Sequence, residues 1–177
     1  RASQKEVDRL LDSIEIDTGL VPLLERCAAL SMPVHVISDG FDYCISRILT
    51  RPSLALAPLL SGVQIVSSHL EQGPGALSTW RVGFPSSAGR CVHGCGTCKP
   101  AAMTRLNPSS RITIFVGDGL SDRYAAACAD VVFAKEALAA YCDEQAIAYT
   151  PYDHLGAVGQ SLERLAWELT PETTNKK

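Results

Sequence analysis

Apolar residues recur at helical spacing from the start of the chain. Val7, Leu10, Leu11 and Ile14 follow Ser3-Gln4-Lys5-Glu6, a capping-box signature that predicts a helix. Val21, Leu23, Leu24 and Cys27 predict a second helix, with Thr18 as its cap and Pro22 tolerated in the first turns. The period then changes. Residues 33–37 form a short β-rich run ending in the turn Ser38-Asp39-Gly40, and residues 41–49 return to helical spacing with Phe41, Cys44, Ile45, Ile48 and Leu49 on one side. Beyond Pro52, residues 63–66 and 80–84 read as the strands of a hairpin, with Gln72-Gly73-Pro74-Gly75 as a turn and a Ser/Gly-rich loop running through Arg90.

The second half alternates regularly. A helix is expected over residues 99–106, opened by Lys99-Pro100. A buried-strand run over residues 112–116 enters Gly117-Asp118-Gly119-Leu120-Ser121-Asp122. A helix over 121–128, a strand over 131–133, a helix over 135–145, a β-like stretch over 147–150 and a helix over 154–169 complete the pattern. Strands alternating with helices of this length predict an α/β fold built on a doubly wound parallel sheet. There is no internal repeat, and the polar tail 170–177 is expected to be disordered.

Bulk composition narrows the function classes. At 177 residues the chain suits one domain with a real core. A formal net charge of −3 and the lack of any basic stretch argue against nucleic acid as a partner. No apolar run reaches membrane-spanning length, which makes a cytoplasmic protein with no membrane partner the expectation. Of the 7 cysteines, Cys27, Cys44, Cys128 and Cys142 fall within helix-like apolar patterns and read as small hydrophobes rather than a disulfide framework. Cys91-Val92-His93-Gly94-Cys95-Gly96-Thr97-Cys98 is different. Cys91, Cys95 and Cys98 are candidate Zn²⁺ ligands, with a redox pair or reduced cysteines shaping the loop as alternatives.

The candidate chemistry gathers at strand ends and helix starts, where open parallel sheets bind ligands. Asp118 and Asp122 are carboxylates suited to a hard cation such as Mg²⁺ shared with a phosphate. Ser38, with Asp39 and Gly40, offers a hydroxyl and backbone amides to phosphate oxygens. Lys99 places an ammonium at a helix N-terminus, against the helix dipole, which favours a functional reason for it. His35 is expected to be structural, His69 and His154, which have no partner nearby in the sequence, to have surface roles, and Trp80 to line the hairpin or pack.

In this order the residues resemble the haloacid dehalogenase superfamily of phosphohydrolases, phosphoserine-phosphatase-like branch. Ser38 matches motif II, Lys99 motif III and the Gly117–Asp122 turn motif IV, with further likeness at Val132-Phe133-Ala134-Lys135 and Tyr149-Thr150-Pro151-Tyr152. The resemblance implies Mg²⁺-dependent hydrolysis of a small phosphorylated metabolite through an aspartyl-phosphate. A methionine-salvage substrate is favoured, with phosphoserine or phosphocholine/phosphoethanolamine as alternatives. Lys99 and Ser38 would be catalytic, Ser38, Asp39, Gly40 and Lys99 would hold phosphate, and Asp118 and Asp122 the metal.

One motif departs. The family's nucleophile belongs to Asp-x-Asp-x-Thr/Val on a first core strand, and no such motif occurs here; Glu15-Ile16-Asp17-Thr18-Gly19 is its nearest imitation. Residues 1–17 are therefore expected to be the end of a helical cap, and 18–169 the core with a hairpin and cysteine-rich insertion at 62–98. The first strand and nucleophile would then lie outside this sequence, leaving open sheet edges. The competing expectation is a non-catalytic homologue acting as a binding or regulatory module.

Overall fold

The capping box forms as its spacing requires. In the computed structural model, which describes residues 2–73, 79–85 and 93–169, the Ser3 hydroxyl accepts from Glu6 N–H at 3.3 Å and the Glu6 carboxylate accepts from Ser3 N–H at 2.7 Å. This starts α1 (Gln4–Ser13), followed by α2 (Leu20–Ala29), β1 (His35–Phe41), α3 (Asp42–Leu49), β2 (Gln64–Gln72) and β3 (Trp80–Gly83). Then come α4 (Lys99–Leu106), β4 (Ile114–Gly117), α5 (Arg123–Ala126), β5 (Val131–Ala134), α6 (Glu136–Glu144), β6 (Thr150–Pro151) and α7 (Leu155–Leu169). Pro74 and Gly75 of the expected hairpin turn, the loop 86–92 and the tail 170–177 lie outside the described residues.

The parallel sheet arrives as two halves. β1 runs parallel to β2, which pairs antiparallel with β3, while β4, β5 and β6 are all parallel. Among the described residues β1 pairs only with β2 and β4 only with β5, so each keeps one unpaired edge. Side chains alternate across β4 and β5, and helices cover both faces. Ile114, Val116, Val131 and Phe133 pack with Leu23 and Cys27 of α2 and Val158 and Leu162 of α7. Phe115, Val132 and Ala134 turn to Ala126, Leu138 and Cys142 of α5 and α6. Val34, just before β1, joins the α2–α7 cluster, so one core underlies both half-sheets. Burying side chains such as Phe133, Leu138 and Val158 is worth about 1.5–3 kcal/mol each.

Several boundaries differ from expectation. Thr18 does not cap α2; Gly19 is the N-cap residue, and Asp17 does the polar work. One Asp17 carboxylate oxygen accepts from Gly19 N–H at 2.7 Å and the other from Leu155 N–H at 2.9 Å, tying the starts of α2 and α7 together. The two backbones meet closely enough that a Cβ on Gly19 would stand 2.1 Å from Gly156 N, so only glycine fits. The helix expected over 121–128 is a 3-10 turn at Leu120–Asp122 plus the short α5, and the stretch at 147–150 pairs only as the two-residue β6. No helix among the described residues is long and apolar enough to cross a membrane.

α1 and the hairpin close around α3. Arg47 pairs with Asp12 through two hydrogen bonds of 2.8 and 2.7 Å, Tyr43 donates to Asp8, and the Tyr43 and Trp80 rings lie 5.5 Å apart. Trp80 also donates to Ala2 O at 3.1 Å, which makes it a packing residue of the hairpin.

His69 is exposed, as expected, and finds a partner 27 residues away: its Nδ1 lies 2.6 Å from Asp42 Oδ2, while Asp42 Oδ1 accepts from Leu70 N–H at 3.0 Å. The hydrogen bond and charge of Asp42 raise the His69 pKa. Burial pulls Asp42 upward, but bonds from His69, Leu70 and Tyr43 outweigh it and leave its pKa lowered. The pair therefore stabilises most between the two midpoints. The His69 contribution is complete below its unfolded pKa and is lost as pH rises through the raised folded value. The Asp42 contribution is present above the ordinary carboxylate value and is lost on acidification through the lowered one. An NMR titration should place the His69 midpoint above that of an unstructured histidine, and Asp42→Asn should bring it down. An unchanged midpoint in the variant would rule the pairing out.

Candidate active site

A lysine at the first position of a helix opposes the helix dipole and gains little from exposure. Lys99 occupies that position in α4 and is only 5% exposed, so its ammonium must be compensated by neighbours. Its Nζ lies 2.6 Å from Asp122 Oδ1, 2.9 Å from Ser121 Oγ and 3.6 Å from Asp39 Oδ2. Asp39 belongs to β1, in the first half-sheet, whereas Ser121 and Asp122 follow β4 in the second. The ammonium thus stands between the two halves at the carboxyl ends of their strands.

The turn after β4 is folded onto its own aspartate. Asp122 Oδ2 accepts from Asp118 N–H and Gly119 N–H, both at 3.1 Å, while Oδ1 serves Lys99. Gly117 permits this approach: a Cβ there would lie 2.7 Å from Asp122 Oδ2 and 2.8 Å from the Phe115 ring. The backbone is fixed from behind as well. Gly117 O accepts from Tyr152 O–H and Lys135 N–H, each at 3.3 Å, and Asp118 O accepts from Leu138 N–H at 2.8 Å. Burial, then the charges of Asp118, Asp122, Asp17 and Glu136, push the Tyr152 pKa up to about 12, so the phenol stays a donor. Against this bound frame the Asp118 side chain is exposed, and among the described residues its carboxylate has no hydrogen-bond or ion-pair partner.

β1 carries the third part. The expected turn at Ser38-Asp39-Gly40 is the irregular end of the strand itself: Ile37 pairs with Val66 and Phe41 with Ser68, so the residues between bulge from the ladder. Ser38 Oγ accepts from Gly40 N–H at 3.0 Å, and Asp39 Oδ1 accepts from Thr97 N–H at 3.0 Å. The Gly40 amide is therefore engaged within the chain, and Asp39 braces the loop before α4. The Ser38 hydroxyl keeps its hydrogen to donate.

The structure brings Asp39, Lys99 and Asp122 into contact and sets Asp118 beside them through its backbone bond to Asp122. Asp118 fits a hard cation as an available carboxylate. Asp122 has both oxygens engaged and orients the turn and Lys99. Of the candidate zinc ligands, Cys91 lies outside the described residues. Among the described residues no three His, Cys, Asp or Glu side chains are grouped to hold a metal, so the zinc expectation gains no support.

Sequence reasoning missed Thr97, Ser121 and Tyr152 as site-building residues. Ser121 and Tyr152 sat inside the quoted motifs, but their bonds to Lys99 and Gly117 O carry no sequence signature.

No family model matches the chain. It is 29% identical to the 2-hydroxy-3-keto-5-methylthiopentenyl-1-phosphate phosphatase of Bacillus cereus (strain B4264), over 88% of this chain and 67% of that protein. With the enzyme of the same name from Bacillus thuringiensis (strain Al Hakam) the identity is 28% over the same shares. Among solved structures, a probable phosphoserine phosphatase from Vibrio cholerae superposes with a TM-score of 0.63 at 20% identity, over 94% of this chain and 48% of that one. A phosphoserine phosphatase from T. onnurineus gives a TM-score of 0.56 at 14% identity, over 88% of this chain and 63% of that one. The chain spans about half of the Vibrio structure and roughly two thirds of the curated relatives.

Removing one member of a buried ion pair strands the other. Lys99→Met should lower stability by about 3–5 kcal/mol in urea denaturation. Adding Asp122→Asn, which removes the stranded charge but keeps an oxygen for the Asp118 and Gly119 amides, should recover part of the loss. An effect well below 1 kcal/mol for the single variant would show that the pair is not buried as described.

Proposed function

We propose that this chain, a haloacid dehalogenase phosphatase homologue of the phosphoserine-phosphatase-like branch, carries the phosphate- and metal-binding half of a phosphomonoesterase for small phosphorylated metabolites. The observation that supports this most is the charge balance of the site. One ammonium, Lys99, faces Asp39 and Asp122, with Asp118 exposed alongside. Such a cluster repels a phosphate dianion unless further positive charge enters with it. Asp118 would hold Mg²⁺, which when bound would supply that charge and polarise the phosphoryl group.

The chain's own residues then have defined work. Lys99 spends two N–H groups on Ser121 and Asp122; Asp39 is beyond ordinary hydrogen-bond reach at 3.6 Å, leaving the third for a phosphoryl oxygen. The Ser38 hydroxyl, oriented by its bond from Gly40 N–H, donates to another. Attack in this family's reaction comes from an aspartate of an Asp-x-Asp-x-Thr/Val strand, and these 177 residues hold no such motif. A strand between the unpaired edges of β1 and β4 would bring that carboxylate to the Lys99 rim, so turnover requires a segment not in this sequence. The favoured substrate is the phosphate ester in the relatives' name, 2-hydroxy-3-keto-5-methylthiopentenyl-1-phosphate, which fits the methionine-salvage expectation, with phosphoserine or phosphocholine/phosphoethanolamine as alternatives. The missing motif favours one second reading: a non-catalytic module that binds phosphorylated ligands through the same residues.

Phosphorus NMR titration with inorganic phosphate tests the binding half. Phosphate should bind at least about tenfold more tightly with Mg²⁺ present, a difference of about 1.4 kcal/mol. Asp118→Asn should abolish that dependence, and the chain alone should not hydrolyse para-nitrophenyl phosphate. Phosphate affinity indifferent to Mg²⁺ in the wild type would overturn the proposal.

A further inference from the structure

The turn that orients Lys99 also carries a second cation that the phosphate chemistry does not use. Arg123 follows Asp122 directly and opens α5. Its guanidinium donates to Leu120 O at 2.7 Å through one terminal nitrogen and to the Tyr124 phenol at 3.2 Å through the other, and its central carbon lies 4.4 Å above the Tyr124 ring. The imidazole of His93, in the loop before α4, stacks on the same ring with centroids 3.6 Å apart and planes inclined by 16°. A ring stacked that closely fills one face of Tyr124, which leaves the other face to the guanidinium.

Three features set this arginine apart from an ordinary surface residue. Neutral groups hold it in place, a carbonyl, a phenol and an aromatic face, so its charge is fixed without being neutralised. Among the described residues it forms no ion pair, and N–H groups of its planar fork remain unused. It is also at the rim of the phosphate site. Leu120 O, which it holds, belongs to the residue before Ser121, whose hydroxyl bonds Lys99. The loop bearing His93 continues into Thr97, whose N–H bonds Asp39. The His93–Tyr124–Arg123 stack thus joins the two segments that flank the Lys99 ammonium.

We propose that Arg123 is a specificity-determining residue. It receives a second oxygen acceptor, carboxylate-like in charge, carried on the organic part of a phosphomonoester whose phosphate lies at Lys99, and the His93–Tyr124 stack holds the guanidinium in place for it. This rests on the phosphate site proposed above and narrows its substrate class: phosphate esters with a second anionic or strongly polarised oxygen are preferred over esters of simple alcohols. A fixed guanidinium with unused N–H groups gives charge-assisted hydrogen bonds that an alkyl group cannot accept.

Calorimetric titration in the presence of Mg²⁺ tests it with three probes: inorganic phosphate, ethyl phosphate and 3-phosphoglycerate. The carboxylate is the strongest acceptor of the class. 3-Phosphoglycerate should bind about tenfold more tightly than ethyl phosphate, the scale of one charge-assisted contact. Arg123→Gln should erase that difference while leaving ethyl phosphate within about twofold of its wild-type affinity. Arg123→Lys, which keeps the charge, should retain part of the preference and guards against a folding defect in the glutamine variant. Equal affinity for the two esters in the wild type would overturn the assignment while leaving the phosphate site intact. So would a preference that survives in Arg123→Gln. Failure of all three probes, inorganic phosphate included, would overturn the phosphate site itself and this inference with it.

Discussion

A single buried ammonium has to satisfy two half-sheets at once. At 5% exposure the Lys99 ammonium needs compensating oxygens, and they come from both sides of the unpaired gap: Ser121 and Asp122 beyond β4 accept hydrogen bonds, and Asp39 of β1 forms an ion pair at 3.6 Å. The rest of the site follows. Asp122 is held by Lys99 through one oxygen and folds the Gly117–Gly119 backbone with the other, and this leaves Asp118 outward. Asp39 is held near Lys99 and receives Thr97 N–H, which fixes the loop leading into α4. Below, the α2–α7 cluster packs against both halves and supplies the apolar support that one ion pair cannot.

Ligand binding and stability therefore draw on the same charges. Three aspartates around one lysine are poorly balanced for an incoming phosphate, and that imbalance makes a cation part of the reading. Two further cations, among the described residues, differ in their freedom. Lys135 lies 5.4 Å from the Tyr152 ring centroid and 3.9 Å from Glu136, and its backbone N–H holds Gly117 O. Arg123, among the described residues, is braced by neutral groups alone, which is what suits it to the proposed contact with a ligand's second acceptor.

Much of this was legible in the sequence because the signals are local. The Ser3–Glu6 box, the helix over Lys99–Leu106 and the run into Gly117 depend on residues a few positions apart, and each formed within a residue or two of expectation. What could not be read involves partners far along the chain. Asp17 looked like a fragment of a catalytic motif but caps α7 through Leu155, 138 residues away. His69 looked solitary, although the parallel pairing of β1 and β2 brings it to Asp42. Nor does spacing reveal that Lys99 and two backbone amides engage the oxygens of Asp122. The strand runs on through Ser38–Gly40, past the turn its glycine suggests, because a bulge keeps pairing alive beyond it.

Native-state hydrogen exchange on the wild type and on Lys99→Met probes the joining of the two halves most directly. The amide of Thr97 reports the Asp39 side, and those of Asp118 and Gly119 report the Asp122 side. If Lys99 joins the halves, all three amides lose protection together in the variant, while those of the β4–β5 ladder keep theirs. Loss confined to Asp118 and Gly119, with Thr97 unchanged, would contradict the account.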